Sequence, residues 1–232
     1  MPNPTATTAC PPLAARECRV CWATIADSGP RLEWLLSPDE RERWRAYLQA
    51  DDRRRFLTAA ALLRLAAAVC LSVAPGQLRV DRRCQRCGAQ HGRPRLPDHP
   101  ELDVSVSHTG EYVAVALARG PRVGVDIERI RRDVDVDALA RSAFSSDEAA
   151  ELAALPAGDR APAFYRLWTR KESIVKALGA GITDDFAGAS VASTGAAVHE
   201  LTCAPGYVAS LAIIGRCDCV TAATYPSSAI VA

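Results

Sequence analysis

Apolar and polar residues alternate in separate blocks of the chain, and between those blocks apolar residues recur at helical spacing. CRVCWATI, residues 18–25, reads as a strand. Over residues 102–130 the period is two throughout. LDVSVSH, EYVAVALA and RVGVDIERI predict three strands, the last two joined by the tight turn Arg119-Gly120-Pro121-Arg122. The alternation returns in ASVAST, AVHELT, YVASLAII and CVTAATY, which predict four more strands.

Helix signals fill the spaces between these strands. Ser37-Pro38-Asp39-Glu40 combines a capping hydroxyl, a proline in the first turn and acids at the positive end of the dipole, so a helix runs through ERERWRAYL. Asp51-Asp52 opens a second, amphipathic at first and nearly all apolar later, which Pro75-Gly76 ends. A third is predicted over 144–155, started by Ser145 or Ser146, and a fourth over 164–178, closed by Gly179. Elements thus recur in a similar order on either side of residue 120. The expected fold is α+β in two similar halves, 1–120 and 121–232, each a small antiparallel sheet packed with helices.

Composition narrows the function classes. The chain has 232 residues, enough for two small cores, and 28 basic against 27 acidic side chains. A net charge of +1 lacks the footprint of a general nucleic-acid binder. The Ala-rich residues 56–74 carry Arg64 at their centre, at an insertion cost of about 2.5–3.5 kcal/mol, so a core helix is expected there rather than a membrane span. No basic start followed by an apolar run opens the chain. The nine cysteines are therefore expected as reduced thiols in a cytoplasmic protein.

Three clusters carry candidate chemistry. In Val123-Gly124-Val125-Asp126-Ile127-Glu128 the valines and isoleucine share one strand face, and Gly124, Asp126 and Glu128 share the other. Two carboxylates two apart repel by up to about 1 kcal/mol, and a hard cation such as Mg²⁺ would relieve that. Gly124 leaves room for something to approach the backbone. An ordinary solvated face explains the same spacing. In Trp168-Thr169-Arg170-Lys171-Glu172-Ser173-Ile174-Val175-Lys176, helical spacing puts Trp168, Glu172 and Lys176 on one stripe, and Lys171 on the neighbouring apolar one. Lys171 and Lys176 are the only lysines of the chain, which elsewhere uses arginine. They suit phosphate oxygens as point charges, or form a surface pair with Glu172. Third, Cys84-Gln85-Arg86-Cys87-Gly88-Ala89-Gln90-His91 offers three ligands for a structural zinc, with Cys217, Cys219, Cys203 or His99 as a fourth. His108, ending a strand after Ser107, caps a turn or donates to a phosphate.

Taken in order, Gly92-Arg93-Pro94, Ser107-His108, Gly124-Val125-Asp126-Ile127-Glu128 and the Trp168–Lys176 block resemble the 4'-phosphopantetheinyl transferases of the surfactin-synthetase-activating type. Residues 51–64 are similar to that family's N-terminal arginine helix, and the likeness covers about 32–180. The resemblance implies a pseudo-dimer of two α+β halves with coenzyme A in the cleft between them. It implies transfer of phosphopantetheine from coenzyme A to a serine of an apo acyl or peptidyl carrier protein, with adenosine 3',5'-bisphosphate released. Fatty-acid, polyketide and nonribosomal-peptide carriers all remain open. By the same resemblance Asp126 and Glu128 hold Mg²⁺ (or Mn²⁺), with Glu172 as third ligand or as base on the serine, and Lys176 stabilises charge on the phosphates. Arg93, His108 and Lys171 contact phosphates, Arg55 the adenosine 3'-phosphate, and Pro94 and Ser107 complete the coenzyme-binding set. Arg131, Arg132 and Arg141 are docking candidates for an acidic carrier. A monomer is expected, since the short members of the superfamily are about half this length and build their site between subunits. Neither a membrane nor a nucleic acid is expected as partner. Glu40 and Arg43 stand where lysines are expected near the 3'-phosphate, so the adenosine end leans on Arg53 to Arg55. Two other functions compete: a non-catalytic zinc-knuckle adaptor, which would not respond to Asp126→Ala, and a Mg²⁺-dependent phosphohydrolase, which needs no acceptor protein.

Overall fold

The computed structural model describes residues 11–84, 87–179, 186–188 and 191–225. Its strands are β1 (Glu17–Thr24), β2 (Leu102–Thr109), β3 (Tyr112–Arg119), β4 (Arg122–Arg129), β5 (Ala197–Leu201), β6 (Tyr207–Ile214) and β7 (Cys219–Thr224). Its α-helices are α1 (Pro38–Ala46), α2 (Ala50–Leu71), α3 (Val136–Ala143), α4 (Ser146–Ala153), α5 (Ala157–Leu178) and the single turn α6 (Val191–Thr194). The strands form two sheets, in the orders β2-β3-β1-β7 and β4-β6-β5.

The two halves repeat one plan. Strand, long helix and hairpin follow each other as β1-α2-β2-β3 and again as β4-α5-β5-β6, and in each sheet the second hairpin strand lies between the other two. Alternation explains the stacking. Cys18 and Val20 of β1 and Ala114, Ala116 and Ala118 of β3 pack against Val123, Val125, Ile127, Leu211 and Ile213, so the inner faces of the sheets make one core. The outer face of the first sheet takes the apolar stripe of α2, including Leu62, Leu63 and Ala66. The outer face of the second takes α5 through Phe164, Ile174, Val175 and Ala177. The layers run α2, sheet, sheet, α5.

Several details depart from the sequence expectation. β7 leaves the second half and pairs in parallel with β1, Glu17 opposite Cys219, so a cut at residue 120 divides the helices but not the sheets. The strand expected in ASVAST is not formed: residues 189 and 190 lie outside the described residues, and Val191–Thr194 make a helical turn, with the Ser193 hydroxyl donating to Gly188 O at 3.1 Å. Helix α5 starts at Ala157, earlier than its caps suggest, because Pro162 lies inside it. Proline cannot donate to the carbonyl four residues back, and Gly158 O accepts from Arg132 instead, at 3.5 Å. Ser37 and Ser145 each cap their helix through a reciprocal capping box, with Glu40 and Glu148. Among the described residues no helix is long and apolar enough to cross a membrane; Arg64 is buried in α2, paired with Glu40 at 2.6 Å.

Candidate active site

Strand β4 presents Gly124, Asp126 and Glu128 towards α5, as their alternation requires. What approaches Gly124 is the helix itself: a Cβ there would stand 1.9 Å from Ser173 O and 2.5 Å from Ala177 N. That contact draws Glu172 and Lys176 down beside the strand. Lys176 Nζ donates to Asp126 Oδ1 at 2.6 Å and to Ser107 Oγ at 3.1 Å, and Ser107 Oγ donates to the same carboxylate oxygen at 2.8 Å.

Ser107 arrives from the other half. β2 and β4 belong to different sheets, yet side chains join them where a backbone ladder would stand. Val123 N–H donates to Asp103 Oδ2 at 2.7 Å, Val125 N–H to Ser105 Oγ at 3.1 Å and Ile127 N–H to Ser107 Oγ at 3.4 Å. Alternate residues of β2 thus satisfy alternate amides of β4, as buried donors require. Thr109 extends the row by donating to Glu128 Oε2 at 3.2 Å.

Along this seam opens a cavity of about 350 Å³, lined by Ser107, His108, Asp126, Glu128, Trp168, Glu172 and Lys176, with Arg43, Tyr47, Phe56 and Arg82 on the N-terminal side. Its carboxylates are short of partners. Asp126 and Glu172 are 3% and 7% exposed, and among the described residues Asp126 Oδ2 and Glu172 Oε1 are buried without a hydrogen-bond partner. Burial, then the charge of Asp126, pushes the Glu128 carboxyl up to about 7. Burial raises Glu172 as well, partly offset by Lys176. Burial and Lys176 hold His108 below the ordinary histidine range, although its ring remains accessible from the cleft. Orphaned carboxylate oxygens beside a repelled glutamate are a donor set suited to a hard cation that keeps part of its water. Their oxygens do not close on one point within 4.8 Å; water ligands of such a cation would span the remainder.

Not every residue named by the resemblance lies here. Arg93 clasps the two halves: it pairs with Asp103 and donates to Val123 O at 2.8 Å, Ala177 O at 3.1 Å and Val104 O at 3.3 Å. Its guanidinium lines a different hollow with Arg95, Arg122 and Gly179, and Pro94 is buried in the turn beside it. Arg55 donates to Gly110 O at 2.8 Å and pairs with Asp52 at 2.6 Å, facing a third hollow with Arg54 and Arg129. Lys171 corrects its expected phosphate contact most sharply. Five residues from Lys176 is about 140° around the helix, and its ammonium points into the second half, on Glu148 Oε1 at 2.9 Å and Ala187 O at 2.7 Å. Glu40 is likewise structural, as the partner of Arg64.

Arg82, Tyr47 and Phe56 join the lining without a signal in the sequence, beside Arg43. Arg43 lies 5.3 Å above the Phe56 ring and donates to Gln90 O at 2.7 Å, which ties α1 to the loop carrying Arg82. At the tip of that loop Cys84, Cys87 and His91 bring their ligand atoms within 4.8 Å of one another. No fourth Cys, His, Asp or Glu joins them among the described residues. Cys217 and Cys203 instead donate to Cys219 O and Tyr207 O, and His99 faces Glu101.

Comparison with known proteins agrees with this architecture. The family model described as 4'-phosphopantetheinyl transferase, N-terminal, matches residues 21–119. That of the 4'-phosphopantetheinyl transferase superfamily matches residues 122–212. The chain is 30% identical to 4'-phosphopantetheinyl transferase Sfp of Bacillus subtilis, over 68% of this chain and 66% of that one. It is 33% identical to a putative 4'-phosphopantetheinyl transferase of Synechocystis, over 66% of this chain and 61% of that one. To 4'-phosphopantetheinyl transferase HetI of Nostoc it is 32% identical, over 63% and 61%. The matches span a little under two thirds of these relatives' lengths. With one model on each half, meeting where the two sheets meet, the chain belongs to the 4'-phosphopantetheinyl transferase superfamily.

Proposed function

We propose that this chain transfers the 4'-phosphopantetheine group of coenzyme A to a serine of an apo acyl or peptidyl carrier protein, releasing adenosine 3',5'-bisphosphate. One observation carries the reading: a single cavity on the seam of the two halves sets buried, unpartnered carboxylate oxygens of Asp126 and Glu172, and the repelled Glu128, against Lys176, His108, Arg43 and Arg82. A pyrophosphate suits such a wall, with cations taking its oxygens directly. Mg²⁺ held by Asp126 and Glu128, with Glu172 as third ligand or as base, would supply the remaining charge neutralisation.

The serine oxygen bonds to the phosphorus that carries the pantetheine, the bond from that phosphorus to the bridging oxygen breaks, and the bisphosphate leaves with the electron pair. The serine proton passes to a carboxylate. Where Glu172 is free of the metal it suits that task, because burial raises its carboxyl and makes it a stronger base. Lys176 keeps a positive charge at the wall where negative charge grows on the leaving phosphate. Arg93 contributes by fixing Val123 and Ala177 against β2, which positions Asp126 and Lys176.

Intact mass of an apo carrier protein, incubated with the chain, coenzyme A and Mg²⁺, tests this. A gain of one phosphopantetheine, abolished by EDTA and by Glu172→Ala, is the expected result. No gain on fatty-acid, polyketide and peptide carriers alike overturns it. Release of free phosphopantetheine without an acceptor would assign hydrolysis instead.

A further inference from the structure

We propose that Cys84, Cys87 and His91 bind a zinc ion that shapes the loop feeding Arg82 into the cavity. The donor set is soft, two thiolates and an imidazole, and so selects zinc over the hard cations suited to Asp126 and Glu128. The spacing fits. The three ligand atoms lie within 4.8 Å of one another, with Cys87 Sγ 3.0 Å from His91 Nε2. Tetrahedral zinc, with bonds of about 2.3 Å to sulfur and about 2.0 Å to nitrogen, needs its ligands about 3.5–3.8 Å apart.

The backbone is already folded for the ion. Cys84 N–H donates to Ala89 O at 2.8 Å, and Gly88 N–H to Cys84 O at 2.8 Å, which brings Gly88 and Ala89 back beside Cys84. Gly88 has φ +75°, a left-handed position at which glycine is unstrained, and among the described residues nothing stands within 4 Å of the place its Cβ would take. Below the tip, Gly92 N–H donates to Arg82 O at 2.7 Å, and Asp81 and Arg95 exchange backbone bonds. A Cβ on Gly92 would meet Arg83 O at 2.9 Å, so the two arms touch.

What the tip lacks is a core. Cys87, Gly88, Ala89, Gln90 and His91 are all exposed. Hydrogen bonds in water fix a loop weakly, whereas a bound metal adds its binding free energy to the folded form. Three protein ligands and an exposed position leave the fourth place to water. The consequence reaches the cavity from both ends of the loop. Arg82 lines it from the first arm, and Gln90 O holds Arg43, a second cation of the same wall.

Metal analysis of the full chain, purified with reductant and passed through metal-free buffer, decides the matter. About one zinc per chain is expected, falling at least tenfold in Cys84→Ser and in Cys87→Ser. Since Cys87 is exposed at the loop tip, Cys87→Ser keeps the wild-type circular dichroism. Cobalt exchanged for zinc gives a near-ultraviolet thiolate-to-metal band that Cys87→Ser lacks. Chelation speeds tryptic cleavage after Arg83 at least tenfold. Absence of both metals from protein whose thiols titrate as reduced overturns the proposal. So does zinc retained in both serine variants, or a disulfide between Cys84 and Cys87. The readout is metal content, so it stands apart from whether any carrier protein is modified.

Discussion

Helices α2 and α5 occupy equivalent places in the two halves and are each 22 residues long, yet one builds a core and the other a reactive wall. α2 buries a nearly unbroken run of alanine and leucine, and its one buried charge, Arg64, is matched by Glu40. α5 buries Thr169, Lys171, Glu172 and Ser173 within a single turn. The strands beneath them differ in the same sense, since β1 offers Cys21 and Ala23 to its helix while β4 offers Gly124 and Asp126. Duplicated architecture therefore does not duplicate the chemistry. A polar helix face is tolerated in the second half because Ser107 of the first accepts from Lys176, and Ser210 of β6 shares a hydrogen bond with Thr169.

Substitutions that push α5 away from β4 break this contrast most severely. Gly124→Ala places a methyl inside the Ser173 carbonyl, and a loss of about 3 kcal/mol is expected from thermal or urea denaturation, together with loss of transfer activity. A stable, active Gly124→Ala protein would show that the close packing is not required.

Next in size is a pH effect. A carboxyl raised from 4.5 to about 7 on folding keeps its proton where the unfolded chain has lost it. Metal-free stability should therefore fall as pH rises from about 4.5 to 7, by about 3 kcal/mol at most. Glu172, also raised, works in the same direction. Saturating Mg²⁺ should flatten the fall, and Glu128→Gln should remove its larger part. A metal-free midpoint that rises across that window contradicts the arrangement.

The two lysines sharpen the comparison within α5. Lys171→Met leaves Glu148 without its ammonium and is expected to cost about 2 kcal/mol while leaving the KM for coenzyme A unchanged. Lys176→Met should lower kcat/KM by two orders of magnitude or more. Equal kinetic losses in the two variants would return Lys171 to the phosphates. The smallest effect is expected from Ser105→Ala, about 1 kcal/mol by denaturation, because the amide of Val125 loses its acceptor.

Much of this was readable in the residues. Period-two alternation located β2, β3 and β4, and capping serines located α1 and α4. Those signals are local, and the structure keeps them. The stripe of Trp168, Glu172 and Lys176 also survives as a wall of the cavity, because helical spacing alone decides it. What escaped depends on neighbours distant in sequence. The start of α5 was hidden by Pro162, whose cost is relieved by Arg132 from another segment. Helix α3 escaped notice among the mixed residues 133–143. Lys171 and Arg93 carry the right charge for a phosphate, but Glu148, on another helix, and Asp103, on β2, pair with them. Arg82 reaches the cavity only because its loop folds back on Gly92, a closure that no periodicity announces.

The crossing of β7 bears on how the protein is made. β1 precedes the other strands described, and the strand that covers its outer edge, running parallel to it, follows only after β4, β5 and β6. Until then β1 offers a row of unpaired amides and carbonyls, the kind of edge on which nascent chains aggregate. The edge is guarded meanwhile by charge, since Glu17 and Arg19 stand on it and pair with each other at 3.0 Å. β7 thus acts as a latch: arriving after the other strands described, it closes the first sheet and ties the second half to it.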